Sequence, residues 1–334
     1  MQLPRTMNYS IVIAVYNEAA VLPALYGRLA EVMDGLEGAS EVIFVNDGSR
    51  DASGEILRQL CANDPRVKTI TLSRNFGQQF AFTAGLDYCS GEAIILMDAD
   101  LQDPPEVIPE LIAKWREGYD IVYALRERRE GESAFKRLTA HWFYRGLRRI
   151  THVEIPADTG DFRLISRRAL DALCAMREQH RFLRGMVSWC GFSQAAVTYV
   201  RAPRQAGETK YTLRKMAALA VDGITSFSTF PLRLALYPGV LLALTSAGVL
   251  IWMGCIAAQH HPVPAWAWPL LAVLAVGAMQ MCYAAILGSY LGRIYDEVRA
   301  RPLYIVCETE GFAVQAEHEA EIAHVNNIRT ANIR

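Results

Sequence analysis

The sequence predicts an α/β domain on a mostly parallel, doubly wound sheet, followed by a two-helix transmembrane hairpin. Three observations lead there. Apolar, strand-like runs alternate with helical stretches, and each run breaks into a polar turn at its C-terminal end. One of them, Ile94-Ile95-Leu96-Met97, stops abruptly in Asp98-Ala99-Asp100-Leu101-Gln102-Asp103. Farther on, Leu234 to Ala258 and Pro262 to Gly292 contain no charged side chain, so each can supply the roughly 20 apolar residues that cross a bilayer.

Taken in order, Tyr9 to Val15 is an apolar, β-branched strand that breaks at Tyr16-Asn17-Glu18, with a helical stretch from Ala19 to about Gly35. Glu41 to Val45 is the second strand, ending in Asn46-Asp47-Gly48-Ser49-Arg50-Asp51. In such a turn Gly48 permits close backbone approach, Ser49 or Asp51 suits a helix cap, and an exposed Asp47 or Glu18 can accept from a ribose or base. The third unit runs from Val67 to Leu72 into Ser73-Arg74-Asn75-Phe76-Gly77-Gln78-Gln79 and a small-residue helix reaching Tyr88.

The fourth strand carries Asp98 and Asp100, which lie two apart and therefore face one side. With Gln102 and Asp103 close behind, they suit a hard divalent cation that keeps water and phosphate oxygens as its other ligands. The same spacing also occurs at solvated strand ends, so the pair alone does not decide. There is no Gly-x-Gly-x-x-Gly and no Walker loop, which disfavours dinucleotide oxidoreductases and phosphate-loop NTPases.

The 334 residues are 52% hydrophobic, and the excess sits in the two uncharged runs. Arg214, Lys215 and Arg233 precede the first run, and Arg293, Arg299 and Arg301 follow the second, so both flanks are expected in the cytoplasm. The expectation is a multi-pass protein of the inner (plasma) membrane with a cytoplasmic catalytic domain. Trp252, Trp266 and Trp268 would form an aromatic belt near the opposite interface. Met1 to Asn8 lacks the long apolar core of a signal peptide. Seven scattered cysteines without paired metal spacing read as reduced packing residues, and the seven histidines form no ligand cluster. The net charge of −1 points to no particular partner, and none is expected among nucleic acids.

Residues 1–210 then form the catalytic domain, 211–231 a juxtamembrane helix, 232–292 the hairpin, and 293–334 a cytoplasmic tail. The tail beyond Pro302 is expected to be an appendage, partly helical or disordered. Phe135 to Ile150 has apolar residues at helical spacing with a basic remainder, which suits a helix lying on anionic lipid or a solvated surface helix. Arg201 to Tyr211 is a second basic segment, just before the membrane approach.

Val15-Tyr16-Asn17-Glu18, Asn46-Asp47-Gly48-Ser49, Arg74-Asn75-Phe76-Gly77, Asp98-Ala99-Asp100 and Asp158-Thr159-Gly160-Asp161-Phe162-Arg163, in this order, resemble family 2 glycosyltransferases of GT-A fold. With the two spans, the resemblance narrows to polyprenyl-phosphate glycosyltransferases, above all the bactoprenol glucosyltransferases, with aminoarabinose transferases and dolichol-phosphate mannose synthases as relatives. It covers about Ser10 to Pro302. It implies a donor site at Tyr16, Glu18, Asp47, Arg74, Asp98 and Gln102, with Mg²⁺ or Mn²⁺ on Asp98 and Asp100. Asp161, with Asp158, resembles the acceptor-side carboxylate that acts as base or orienting group, although either aspartate could instead cap the helical segment that follows. Arg204, Lys210 and Tyr211 match a segment that contacts the acceptor phosphate. Two departures stand out: Ala14 where members often have Pro, and Asn46-Asp47 where they often have two aspartates.

The implied activity is inverting transfer of a hexose, foremost glucose from UDP-glucose, to undecaprenyl phosphate for O-antigen or cell-envelope glycan modification. UDP-aminoarabinose or GDP-mannose are alternative donors. The implied partners are a UDP-hexose, the polyprenyl phosphate, membrane lipid and further copies of the chain in a homo-oligomer. The alternative from another class is a non-catalytic membrane scaffold or lipid-binding module, against which the intact Asp98-x-Asp100 speaks.

Overall fold

The computed structural model describes residues 8–126, 159–199 and 267–312 of the chain. Its spine is four apolar segments that pair in parallel: β1 (Tyr9–Val15), β2 (Ser40–Asn46), β3 (Val67–Leu72) and β4 (Ala93–Asp98). Side chains alternate across a strand, so β1 feeds two cores. Tyr9, Ile11, Ile13 and Val15 pack on one face with α1 (Leu22–Asp34) and α4 (Ile108–Arg116), joined by Leu57 of α2 (Ser53–Asn63). Val12 packs on the other face with α3 (Gln78–Tyr88), α5 (Arg167–Ala175) and α6 (Leu183–Trp189). Burial on both faces is what their near-continuous apolar sequences require.

Beyond β4 the sheet continues through strands that the sequence reading leaves unassigned. They are β5 (Ile121–Arg126), β6 (Thr159–Ser166) and β7 (Gln194–Tyr199). β6 runs antiparallel to β4 and β5, and β7 is parallel to β5. On the opposite edge, β8 (Val306–Glu310) pairs antiparallel with β3, giving the order β7-β5-β6-β4-β1-β2-β3-β8.

Strand β8 corrects the expected appendage. Residues 306–310 belong to the catalytic sheet, and the segment leading to them is pinned: Tyr304 Oη donates to Asp87 Oδ2 at 2.7 Å, and Arg177 Nη1 donates to the same oxygen at 2.7 Å. The 33-residue helix α7 (Ala267–Arg299) precedes it, about 50 Å long at 1.5 Å per residue. Its last turns meet the segment between α5 and α6, where Gln179 N donates to Glu297 Oε1 at 2.6 Å and His180 Nε2 lies 3.2 Å from Asp296 Oδ2. Among the described residues no helix is long and apolar enough to cross a membrane. The first predicted span, the juxtamembrane helix and the basic segment 135–150 lie outside the described residues, so the hairpin rests on the sequence alone.

Two buried polar clusters fix the sheet. Glu41, fully buried on β2, accepts from Ser10 Oγ at 2.5 Å and from Ser90 N and Oγ at 2.8 Å, and pairs with Lys68. Burial alone would raise its carboxyl, but these donors outweigh burial and hold it below the ordinary value. Asp120 joins three segments by accepting from Ser166 Oγ, Ser193 Oγ and Arg168. The α3 helix lies so close to the sheet that a Cβ on Gly85 would sit 2.2 Å from Val12 Cγ1 and 3.1 Å from Val45 Cγ2, both on stiff β-branched side chains. Gly85→Leu should therefore overpack this interface and destabilise the protein by about 1–3 kcal/mol. Denaturant unfolding checks this, and a midpoint equal to that of the parent protein would show that α3 can move away at no cost.

Candidate active site

The polar ends of β1, β2, β3 and β4 meet along one edge of the sheet, where open α/β sheets place their ligands. The first two ends are sewn together by side chain to backbone bonds. Asn17, with a left-handed φ of 54°, donates its N–H to Ser49 Oγ at 3.0 Å and accepts from Arg50 N at 2.8 Å on Oδ1. Glu18 N donates to Ser53 Oγ at 3.0 Å and Ala19 N to Asp51 Oδ2 at 3.1 Å. Ser49 thus bridges two turns, and Asp51 does so while also accepting from Ser53 N in the first turn of α2 at 3.0 Å. Tyr16 and Glu18 are left partly exposed at the rim.

Asp47 differs from expectation. It is 2% exposed, and its two oxygens accept from Phe76 N at 2.7 Å and Gly77 N at 2.9 Å. Burial pushes the Asp47 carboxyl up, with the two N–H groups opposing. The residue shapes the third turn from beneath, which the sequence could not show because it gives no sign of which side chain folds inward. Gly48 permits the contact: at φ +64° its position leaves no room for a side chain, since a Cβ would lie 2.6 Å from the Arg74 carbonyl carbon. Arg74 stays exposed, with its guanidinium 4.5 Å above the Phe76 ring.

The carboxylates gather at the seam of β4 and β6. Their antiparallel register pairs Leu96 with Arg163, so two residues farther along β4 Asp98 comes opposite Asp161. Asp161 therefore lies on a strand and caps no helix; Ser166 does that for α5, its Oγ accepting from Ala169 N. Asp98 Oδ1 accepts from Gln78 Nε2 at 2.6 Å. Burial, then the negative charges of Asp161, Asp103 and Asp100, raise the Asp98 carboxyl well above its ordinary range, with Arg184 opposing. Asp100 Oδ1 accepts from Gln102 N at 3.1 Å across Leu101, whose left-handed φ of 58° is a strained conformation for a leucine. Asp103 is buried and accepts from Tyr199 Oη.

Two arginines hold Asp161. Arg184 donates Nε to Oδ1 at 2.7 Å and Nη2 to Oδ2 at 3.1 Å. Arg163, 5% exposed, donates from Nη2 to Gly160 O at 2.8 Å and from Nε to Asp161 O at 3.4 Å, and burial lowers its guanidinium to about 10. Gln78 and Arg184 are absent from the sequence-level candidates. Gln78 opens α3 just after the turn that follows the third strand, so the strand-end rule reached its neighbours and stopped short of it. Arg184 has no local signal, because α6 reaches the site only through the fold. The remaining candidates, Asp158, Arg204, Lys210 and Tyr211, lie outside the described residues.

A mostly parallel sheet with carboxylates gathered along one edge is the arrangement expected of a GT-A-type glycosyltransferase. Residues 10–174 match the family described as Glycosyl transferase family 2. The chain is 49% identical over 310 residues to the "Uncharacterized glycosyltransferase YkcC" of Bacillus subtilis, spanning 92% of this chain and 96% of that protein. It is 44% identical over 309 residues to the "Uncharacterized glycosyltransferase sll0501" of Synechocystis, spanning 92% and 96%. It is 42% identical over 301 residues to the "SfII prophage-derived bactoprenol glucosyl transferase" of Shigella flexneri, spanning 90% and 97%. The chain belongs to glycosyl transferase family 2, and it is an enzyme of glycosyl transfer.

Asp47→Asn places an N–H₂ group against one of two backbone donors. It should lower stability by about 1–3 kcal/mol, the usual effect of a buried donor left without an acceptor. Chemical denaturation measures this; unchanged stability would mean that the third turn does not rest on Asp47.

Proposed function

We propose that the protein transfers a hexose, with inversion, from a UDP-activated donor to undecaprenyl phosphate at the cytoplasmic face of the membrane, with glucose as the sugar. The crowding of Asp98, Asp100, Asp103 and Asp161 at one strand end is the observation that carries the reading. Relatives named as bactoprenol glucosyl transferases, alike over nine-tenths of the chain, support the acceptor class.

The donor set fits a divalent cation. Asp98 and Asp100 offer hard oxygen donors where negative charge is in excess, and burial followed by that excess raises the Asp98 carboxyl. Among the described residues no group of three or more His, Cys, Asp or Glu side chains is placed to hold an ion. Two protein ligands suit Mg²⁺ or Mn²⁺, which keep water and diphosphate oxygens as their other ligands. When bound, such an ion neutralises the charge that develops on the departing nucleotide.

The rest of the work falls to this chain's own side chains. Tyr16 and Glu18 stand at the rim with Arg74 across from them, and Asp47 fixes the floor between, which forms a cleft for a nucleoside. Gln78 orients Asp98, and the Leu101 turn orients Asp100 and Gln102 towards the diphosphate. The acceptor oxygen attacks the anomeric carbon as the bond to the diphosphate breaks, and UDP leaves with the bonding pair. A phosphomonoester has its second pKa near 6, so the acceptor is already largely dianionic at cytoplasmic pH and needs orientation more than deprotonation.

Membrane attachment is part of the proposal. The α7 sequence carries no charge from Ala267 to Gly292, and Val273, Tyr283, Leu287, Leu291 and Ile294 are exposed along it. That apolar face suits lipid, with Arg293 and Arg299 at the cytoplasmic end.

With purified protein, undecaprenyl phosphate and Mg²⁺, a panel of UDP-glucose, UDP-aminoarabinose and GDP-mannose should give lipid-linked product by mass with UDP-glucose. Asp100→Asn should lose transfer while keeping its fold; near-normal turnover would remove the metal assignment, and product from another donor would replace the sugar. Reporter fusions near Pro262 should map outside the cytoplasm and fusions after Pro302 inside. A cytoplasmic signal at Pro262 would exclude two spans.

A further inference from the structure

The acceptor side of the site poses an electrostatic difficulty. Asp161 is 6% exposed and faces Asp98 across the β4–β6 seam, in a site that also holds Asp100 and Asp103. A phosphate dianion brought beside these carboxylates would be repelled by each of them. It has little proton to give up, so a carboxylate acting as a base would gain little from being there. Asp161 needs another reason for its place.

Arg184 supplies one. Its guanidinium lies side-on to Asp161 in a two-bond fork, the arrangement that fixes an arginine most firmly in direction. The side chain remains 32% exposed, so a ligand can reach it. The neighbouring cation, Arg163, is buried and turned towards the carbonyls of Gly160 and Asp161. Arg184 is also tied to the donor side through the backbone. Leu183 N donates to Gln79 Oε1 at 3.0 Å, and the adjacent Gln78 donates to Asp98. The helix α6 that carries Arg184 is thus locked to the turn that orients the β4 carboxylate.

We infer that Arg184 receives the phosphate of the acceptor and that Asp161 is a positioning residue acting through Arg184, holding the guanidinium in place and not removing a proton. The inference rests on the reading of a polyprenyl phosphate as acceptor. A guanidinium between carboxylate and phosphate lets two anions share one side of the site, and its planar fork matches a phosphate as well as a carboxylate.

The test uses the full chain in detergent with undecaprenyl phosphate, UDP-glucose and Mg²⁺. Arg184→Gln should raise the apparent KM for undecaprenyl phosphate about ten- to a hundredfold, the range of one charge-assisted contact. The Kd for UDP-glucose with Mg²⁺, titrated without acceptor, should stay within about twofold. Arg184→Lys keeps the charge without the fork and should recover part of the loss, which a merely structural role would not predict. Asp161→Asn should raise the same KM, and the double variant Asp161→Asn/Arg184→Gln should be no worse than the poorer single variant, because both act through one contact. An unchanged acceptor KM in Arg184→Gln overturns the inference, as does a parallel loss of donor affinity, which would move Arg184 to the diphosphate. So does additivity in the double variant. If Arg184→Gln does not fold, Arg184→Lys carries the same measurement with the same outcomes. Absence of lipid-linked product from the parent protein with every donor would instead overturn the acceptor reading, and this inference with it.

Discussion

The antiparallel seam between β4 and β6 fixes where this protein keeps its negative charge. The strands β1 to β4 pair with one another in parallel, and parallel strands carry their polar ends to one edge at similar height. By reversing direction, β6 brings the start of a strand, Gly160 and Asp161, against the end of another, Asp98. Carboxylates far apart in sequence are brought together, and the cost, burial first and then their mutual repulsion, appears in the raised Asp98 carboxyl. The surrounding structure answers that cost with donors: Gln78 on Asp98, Tyr199 on Asp103, Arg184 on Asp161.

The turns depend on the same logic of satisfied backbone groups. At an edge where ligands enter, loops cannot rely on sheet pairing, so side chains take the place of the missing partners. Ser49, Asp51 and Ser53 accept from the turn after β1, Asp47 accepts from the turn after β3, and Gly48 lets the two approach. The turns at this edge are therefore tied to one another before any ligand arrives. This reduces the ordering that binding would otherwise require.

The parallel core and its strand-end motifs were legible in the sequence because they rest on local pattern: apolar runs, polar breaks and an Asp-x-Asp at a fixed position. What escaped was non-local. Nothing near Arg184 marks it, since its role comes from α6 crossing to β6. Asp47 was legible as important but not in its orientation, because a turn carboxylate can face either ligand or backbone. Strand β8 was missed for a third reason. Val306-Cys307-Glu308-Thr309-Glu310 is short and carries two glutamates, as an edge strand with one face in water can, and such a segment looks like any polar tail.

That last strand has a consequence for how the enzyme is made. A chain emerges from the ribosome N-terminus first, so β1 to β7 are complete while the edge of β3 still stands open. It is closed only after α7 has been synthesised and Tyr304 has found Asp87. Until then the newborn domain offers a bare apolar strand to its neighbours, and any fragment ending before residue 304 keeps that liability for good. The piece that follows the long helix is thus the selvedge that keeps the sheet from fraying.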